Sequence, residues 1–299
     1  MNILFMGTPE FAKVSLEYLV NDNFNVAGAI TQPDKPKGRK MVLAPSPVKE
    51  YCLRKNIPVY QPQSSKSAEF FELLENIAPD VIAVVAYGQI LPKNVLEYPR
   101  YGCVNAHASL LPKYRGANPI YAAIAEGETA TGITTIYMDE GIDTGDMILR
   151  ESIQIGENET YGELYGRLAQ MGGEALAKTL AQIQDGSAKR EEQPKTGASH
   201  TKKTDEQTRE IDWSQEAKKI HDKIRALSPS PAAFTRINGK KMIIYKSEIT
   251  RENSESCIDA ECKDGFVRIL ELQPEGGKRM SARDFLNGNK IEKGAVWGG

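Results

Sequence analysis

Asn2-Ile3-Leu4-Phe5-Met6-Gly7-Thr8-Pro9-Glu10-Phe11 opens the chain with an apolar run that stops at a glycine. A short apolar run bounded by turn residues reads as a buried strand. Thr8 offers an N-capping hydroxyl and Pro9 suits the first position of a helix, so strand, tight turn and helix follow in order. The pattern recurs at Phe24–Thr31, Pro58–Tyr60, Asp80–Ala86 and Gly102–Asn105. Helix-like segments lie between these runs, such as Ala68–Ile77 with Phe71, Leu74 and Ile77 on one face. The alternation predicts a mainly parallel sheet covered on both sides. Ligands of such sheets sit beyond the carboxyl ends of the strands, and Asn105 falls at such an end.

The first turn carries a single glycine, Gly7, and the chain has neither G-x-G-x-x-G nor G-x-x-x-x-G-K-[ST]. Dinucleotide and ATP chemistry are discounted accordingly. Asn118-Pro119 predicts another helix start, with Asn118 as the cap. Thr131–Met138 and Met147–Ile155 read as two edge strands around an acidic loop, Asp139-Glu140-Gly141-Ile142-Asp143-Thr144-Gly145-Asp146. Thr160-Tyr161-Gly162-Glu163 is a capping box, and the helix behind it stops near Gly186.

Residues 187–208 are polar with almost nothing to bury, which predicts a linker or a loosely packed strap. A second domain over 209–299 begins with a short helix from about Ser214 to Ala226. Short strands follow, punctuated by the hairpin-type pairs Asn238-Gly239 and Asp264-Gly265. A closing helical turn is expected at Ser281–Leu286. This is the pattern of a small OB-like β-barrel, a class that commonly binds nucleic acid.

The chain of 299 residues is 40% apolar and 26% charged, ordinary for a soluble globular protein. Four cysteines are too few for a disulfide framework, and their spacing does not make a zinc site. The N-terminus lacks a basic region ahead of its apolar run, so no signal peptide is expected. The longest apolar runs are strand-sized, well short of the ~20 residues of a membrane span. A cytoplasmic protein, expected to be a monomer with no membrane attachment, fits these features. Net charge is −2 overall, yet it is uneven. Residues 1–186 hold 16 Lys and Arg against 22 Asp and Glu, and residues 187–299 hold 22 against 18. A basic tail domain suits a polyanion gripped locally, although drift in surface charge gives the same balance.

Asn105, His107 and Asp143 have the chemistry of acyl transfer to an amine. An Asn amide can stabilise an oxyanion, a His can handle a proton near neutral pH, and an Asp can orient it or relay the proton. Residues two apart on a strand project to one side, so Asn105 and His107 face one substrate together. The attacking amine makes an enzyme nucleophile unnecessary. Each residue also has a plainer reading. His107 suits a structural hydrogen bond, Asn105 a turn, and Asp143 a solvated or metal-binding loop, and spacing alone leaves these open.

Several motifs then occur in order. They are Phe5–Phe11, Thr31-Gln32-Pro33-Asp34-Lys35-Pro36 with Pro45-Ser46-Pro47-Val48-Lys49, Val84–Pro92, Asn105–Pro112 and Met138–Met147. The second domain adds Ile211-Asp212-Trp213, Leu272-Gln273-Pro274 and Met280-Ser281-Ala282. The set resembles the methionyl-tRNA formyltransferase family. The resemblance implies a Rossmann-like formyltransferase domain over 1–186, a linker over 187–208, and an OB-like tRNA-binding domain over 209–299. It implies 10-formyltetrahydrofolate as co-substrate, no metal, and initiator methionyl-tRNA as the partner whose methionine α-amino group is formylated for translation initiation. By the same resemblance Asn105, His107 and Asp143 are catalytic. Gln89, Ile90, Leu91, Ser109, Leu110, Leu111 and Pro112 line the folate site, where a flat apolar pterin needs apolar walls and backbone hydrogen bonds.

Asp34-Lys35-Pro36-Lys37-Gly38-Arg39-Lys40 resembles the family's loop that enters the acceptor end of tRNA. It makes Lys35, Lys37, Arg39 and Lys40 the expected tRNA contacts, Arg39 foremost. In one respect the chain departs from the family pattern: between Lys246 and Leu272 it is short and polar, which implies a trimmed barrel. Three alternatives remain at this level: formylation of a small amine, hydrolysis of the formyl donor, and an RNA-binding module with a silent transferase core.

Overall fold

Ile3, Leu4, Phe5 and Met6 are wholly buried, and they form an interior strand of the sheet on which the first half of the chain is built. The computed structural model describes residues 1–37, 41–254, 256–289 and 297–298. Its elements begin with β1 (Asn2–Gly7), α1 (Glu10–Asn21), β2 (Asn25–Ile30), β3 (Lys35–Lys37), β4 (Val42–Ala44), α2 (Pro47–Lys55) and β5 (Val59–Tyr60). Then follow α3 (Ala68–Ile77), β6 (Val81–Val85), α4 (Lys93–Leu96), β7 (Cys103–His107), β8 (Arg115–Gly116), α5 (Pro119–Ala125) and β9 (Ala130–Tyr137). Next are β10 (Met147–Gln154), α6 (Tyr161–Asp185), β11 (His200–Thr201), α7 (Glu206–Arg209), α8 (Ala217–Leu227), β12 (Ala233–Ile237) and β13 (Lys240–Thr250). The last are β14 (Ile258–Cys262), β15 (Gly265–Pro274), β16 (Met280–Ser281) and α9 (Ala282–Gly288).

Two compact units result. The first comprises Met1–Gly116, Gly132–Ser152 and Gly166–His200, and the second Ala117–Thr131, Ile153–Tyr165 and Thr201–Gly299. Residues 187–200, at the start of the polar stretch, thus belong with the first unit.

The first unit holds a sheet in the order β10-β9-β7-β6-β1-β2-β5. The strands from β7 to β5 pair in parallel, and β9 joins β7 antiparallel. This is the expected mainly parallel α/β sheet, with β9 and β10 at its edge. Its core gathers Leu4, Met6, Ile30, Ile82 and Val84 with Phe70 and Leu74 from α3. Phe70 and Leu74 are the buried residues of that helix, and Phe71, expected inward from the periodicity, is only partly buried.

The turn after β1 differs from the sequence reading. The helix starts at Glu10 with Pro9 as the capping position, and no side chain caps it. The Thr8 hydroxyl instead donates to Tyr87 O at 3.2 Å and accepts from Gln32 N at 3.3 Å. It ties together the ends of three adjacent strands, and that long-range use outcompetes local capping. Asn118 precedes α5 in a left-handed conformation and makes no side-chain cap bond either. The capping box at Thr160 is formed: Glu163 Oε2 accepts from Thr160 N at 2.9 Å, and Glu163 N donates to Thr160 Oγ1 at 3.4 Å.

The second unit is a curled antiparallel half-barrel in the order β12-β13-β15-β14, with β16 on β15. Asn238 and Gly239 both have positive φ, 50° and 76°, which is what a two-residue hairpin between β12 and β13 requires. Helix α8 packs Ile220, Ile224 and Leu227 into the core made by Ile244, Val267, Ile269 and Leu272. The short strand expected before Asp264-Gly265 is β14, which buries Ile258 and Ala260 in alternation.

Candidate active site

β7 lies between β6 and β9, with Asn105 beside Val84 on one side and Ile136 on the other. Asn105 and His107 are both buried, and their two-residue spacing sends both side chains out of one face. The loop between β9 and β10 brings Asp143 onto that face. Asn105 Nδ2 donates to Asp143 Oδ1 at 3.2 Å. His107 Nδ1 lies 3.5 Å from Asp143 Oδ2. The backbone N–H of Gly116 donates to the same Oδ2 at 2.8 Å. The three residues singled out in the sequence therefore converge on one carboxylate.

His107 is anchored on its other side, where Nε2–H donates to Tyr114 O at 2.9 Å. That contact leaves Nδ1 as the ring atom directed at Asp143 and specifies the tautomer of the neutral ring. Asp143 has φ +54°, a left-handed conformation that costs a non-glycine residue about 1–3 kcal/mol and persists only where its surroundings hold it. The thiol nearest in sequence, Cys103 on the same strand, is pushed up to about 12 by burial. It is a neutral packing group rather than a nucleophile.

The predicted folate residues separate by depth. Gln89 is engaged with the 63–65 segment: its Oε1 accepts from Ser65 N at 2.8 Å and its Nε2 donates to Gln63 O at 3.2 Å. Ser65 Oγ donates to Ile90 O at 2.9 Å, while the Ile90 side chain is 66% exposed. Leu91 is buried in the sheet core, and Leu111 is buried with Ile136 and Met147. Ser109 is fully buried and donates to Lys113 O at 2.7 Å. Leu110 and Pro112 are half-buried. Ile90, Leu110 and Pro112 thus keep solvent-accessible apolar surface, whereas Leu91, Ser109 and Leu111 are buried.

Lys35 is exposed on β3, which pairs with β4 in a hairpin; the backbone of Lys37 stands opposite Val42. Met41, Val42 and Leu43 are exposed apolar residues on the returning arm. Arg39 and Lys40 lie outside the described residues. Among the described residues no group of three His, Cys, Asp or Glu side chains is arranged to hold a metal ion, and no helix is long and apolar enough to cross a membrane.

Sequence reasoning missed the supports of this site. Gly116 supplies a backbone donor, and a main-chain contact has no side-chain signature. Ser199 Oγ accepts from Tyr114 N at 2.9 Å and Ser199 O accepts from Arg115 N at 2.9 Å. Gln193, also in the polar stretch, is buried and bonds the acidic loop. One polar residue in a stretch without periodicity gives no pattern to read, so neither was recoverable from the sequence.

Comparison with known proteins matches residues 1–180 to a family described as formyl transferase, and residues 203–290 to the formyl transferase C-terminal domain. A methionyl-tRNA formyltransferase of Clostridioides difficile (strain 630) is 44% identical over 310 residues, covering all of both chains. One from Clostridium novyi (strain NT) is 47% identical over 304 residues, covering 98% of each. Among solved structures, the sugar 3N-formyl transferase WlaRD has a TM-score of 0.68 at 22% identity, covering 92% of this chain and 97% of its own. A methionyl-tRNA formyltransferase from Clostridium thermocellum has a TM-score of 0.58 at 19% identity, covering 85% and 95%. These structural likenesses establish the fold.

Proposed function

The chain belongs to the methionyl-tRNA formyltransferase family, and from that premise we infer what each residue around Asp143 does. The protein is a folate-dependent transferase that formylates initiator methionyl-tRNA from a formyl-folate. The donor is 10-formyltetrahydrofolate and the acceptor is the methionine α-amino group.

Asn105, His107 and Asp143 are the catalytic residues of this reading. The amine lone pair attacks the formyl carbon, a C–N bond forms, and the carbonyl electrons move onto oxygen. Asn105 Nδ2 carries a second hydrogen besides the one directed at Asp143, and it stabilises that oxyanion. The attacking nitrogen gives its proton to Asp143, and His107 Nδ1 shares it. Collapse restores the carbonyl, breaks the bond to N10 of the folate, and N10 takes up the proton. The observation that carries this assignment is the meeting of Asn105 Nδ2, His107 Nδ1 and Gly116 N–H on one carboxylate.

The folate is held by Gln89, Ile90, Leu91, Ser109, Leu110, Leu111 and Pro112, with side-chain contact from Ile90, Leu110 and Pro112. The acceptor end of the tRNA is gripped by Lys35, Lys37, Arg39 and Lys40, and its body by the domain over 209–299. The charge surplus of the C-terminal part supports that division. We assign the enzyme to the cytoplasm as a monomer; all four cysteines are free, which suits a reducing compartment.

Isotopic label in the formyl group of 10-formyltetrahydrofolate tests the reading when charged initiator tRNA, small free amines or no acceptor is supplied. Label is expected on methionyl-tRNA. Label on a small amine and none on methionyl-tRNA contradicts the assignment.

A further inference from the structure

We propose that Gln193 is a positioning residue that holds Asp143 in its working geometry; the proposal rests on the catalytic reading of Asp143 given above. Gln193 lies in the polar stretch after α6 and is only 6% exposed. Its Nε2 donates to Asp143 O at 2.8 Å and to Gly145 O at 2.9 Å. Both hydrogens of the carboxamide are thereby directed at the backbone of the acidic loop. Its Oε1 accepts from Arg115, at 3.1 Å from Nε and 2.6 Å from Nη2.

These contacts link both sides of the carboxylate. One side is the backbone of Asp143, which must stay left-handed for the side chain to reach Asn105 and His107. The other is the segment Arg115-Gly116, whose N–H at Gly116 donates to Asp143 Oδ2. A single buried amide therefore fixes both the carboxylate's own main chain and the strand that supplies its backbone donor. The neighbouring main chain holds Gln193 in place: Glu191 and Met147 exchange backbone hydrogen bonds at 2.8 and 2.9 Å. Gln193 touches no reacting atom, so its effect passes through Asp143. Misplacement of a catalytic group by about 1 Å is enough to cost ~100-fold in rate.

The chemistry sets the variants apart. Gln193→Ala removes every contact. Gln193→Glu keeps an acceptor for Arg115 but loses both donors and sets a carboxylate against two carbonyl oxygens. The experiment measures kcat and both KM values for the wild type, Gln193→Ala, Gln193→Glu, Asp143→Asn and the double variant Gln193→Ala/Asp143→Asn. Folding is followed by Tm. Both Gln193 variants are expected to lower kcat by about 10-fold or more, with the KM values for tRNA and folate within about 2-fold of wild type. In the Asp143→Asn background, Gln193→Ala is expected to change kcat by less than about 2-fold, because the group it positions is already disabled. Equal losses in both backgrounds, or full kcat in Gln193→Glu, would overturn the proposal. Full kcat in Asp143→Asn alone overturns the catalytic reading instead, which separates the two failures.

Discussion

Thr134 and Ser109 are joined by a buried hydrogen bond, with Thr134 Oγ1 donating to Ser109 O at 2.7 Å. The same hydroxyl accepts from Leu111 N at 3.1 Å. One side chain on β9 thus satisfies two main-chain groups of the turn that follows β7, where local pairing has none to offer them. The turn keeps its shape because β9, the strand paired with β7, reaches into it.

Thr134→Val preserves the volume and removes the hydroxyl, leaving Ser109 O and Leu111 N buried without that partner. The expected loss is about 2 kcal/mol of unfolding free energy, read by urea denaturation. Folate affinity is expected to weaken alongside it, because Leu110 and Pro112 lose their backing. A Thr134→Val protein with wild-type stability and wild-type folate affinity contradicts this account of the turn.

A second prediction concerns stability without catalysis. In the second unit Asp222 and Arg225 form a buried pair, with Arg225 Nε donating to Asp222 Oδ1 at 2.8 Å. Arg225 also donates to Glu159 O at 3.1 Å. Removing one partner strands the other charge, so Asp222→Ala is expected to cost about 3 kcal/mol in urea denaturation. A cost below the noise of the measurement contradicts the buried-pair description.

His221 gives a pH dependence. Burial pushes its pKa below the ordinary 6.5, and the Arg225 charge adds to that, while Asp222 opposes it. Lys218, paired with Asp222, lowers it slightly further, and Ser247 Oγ lies 3.0 Å from Nδ1. The unfolded chain then takes up a proton at a higher pH than the folded protein does. Above about pH 6.5 His221 has no effect on the pH slope, and as pH falls below it the folded state loses stability. His221→Gln is expected to flatten the fall in Tm between about pH 6.5 and pH 5. An unchanged slope in that variant removes His221 as its source.

These residues show what a sequence can and cannot reveal. Ile3–Met6 and Val81–Val85 are short apolar runs between turn signals, and both are strands of the sheet. Asn105 and His107 were legible because strand period is local, and their spacing alone puts them on one face. Thr8 was misread as a cap because its actual partners, Tyr87 and Gln32, lie on other strand ends and leave no local trace. Gln193 was invisible for the same reason: its partners are 48 to 78 residues away. The hairpin at Asn238-Gly239 was the opposite case, since positive φ at both positions is a local demand that the two residue types announce.

The most direct test of the account is single-turnover formylation by Asn105→Ala, His107→Ala and Asp143→Asn, with charged initiator tRNA and excess 10-formyltetrahydrofolate and with folding verified by Tm. Each variant is expected to transfer the formyl group about 100-fold or more slowly than wild type. Near wild-type rates in all three folded variants would contradict the assignment of the chemistry to the residues gathered at Asp143.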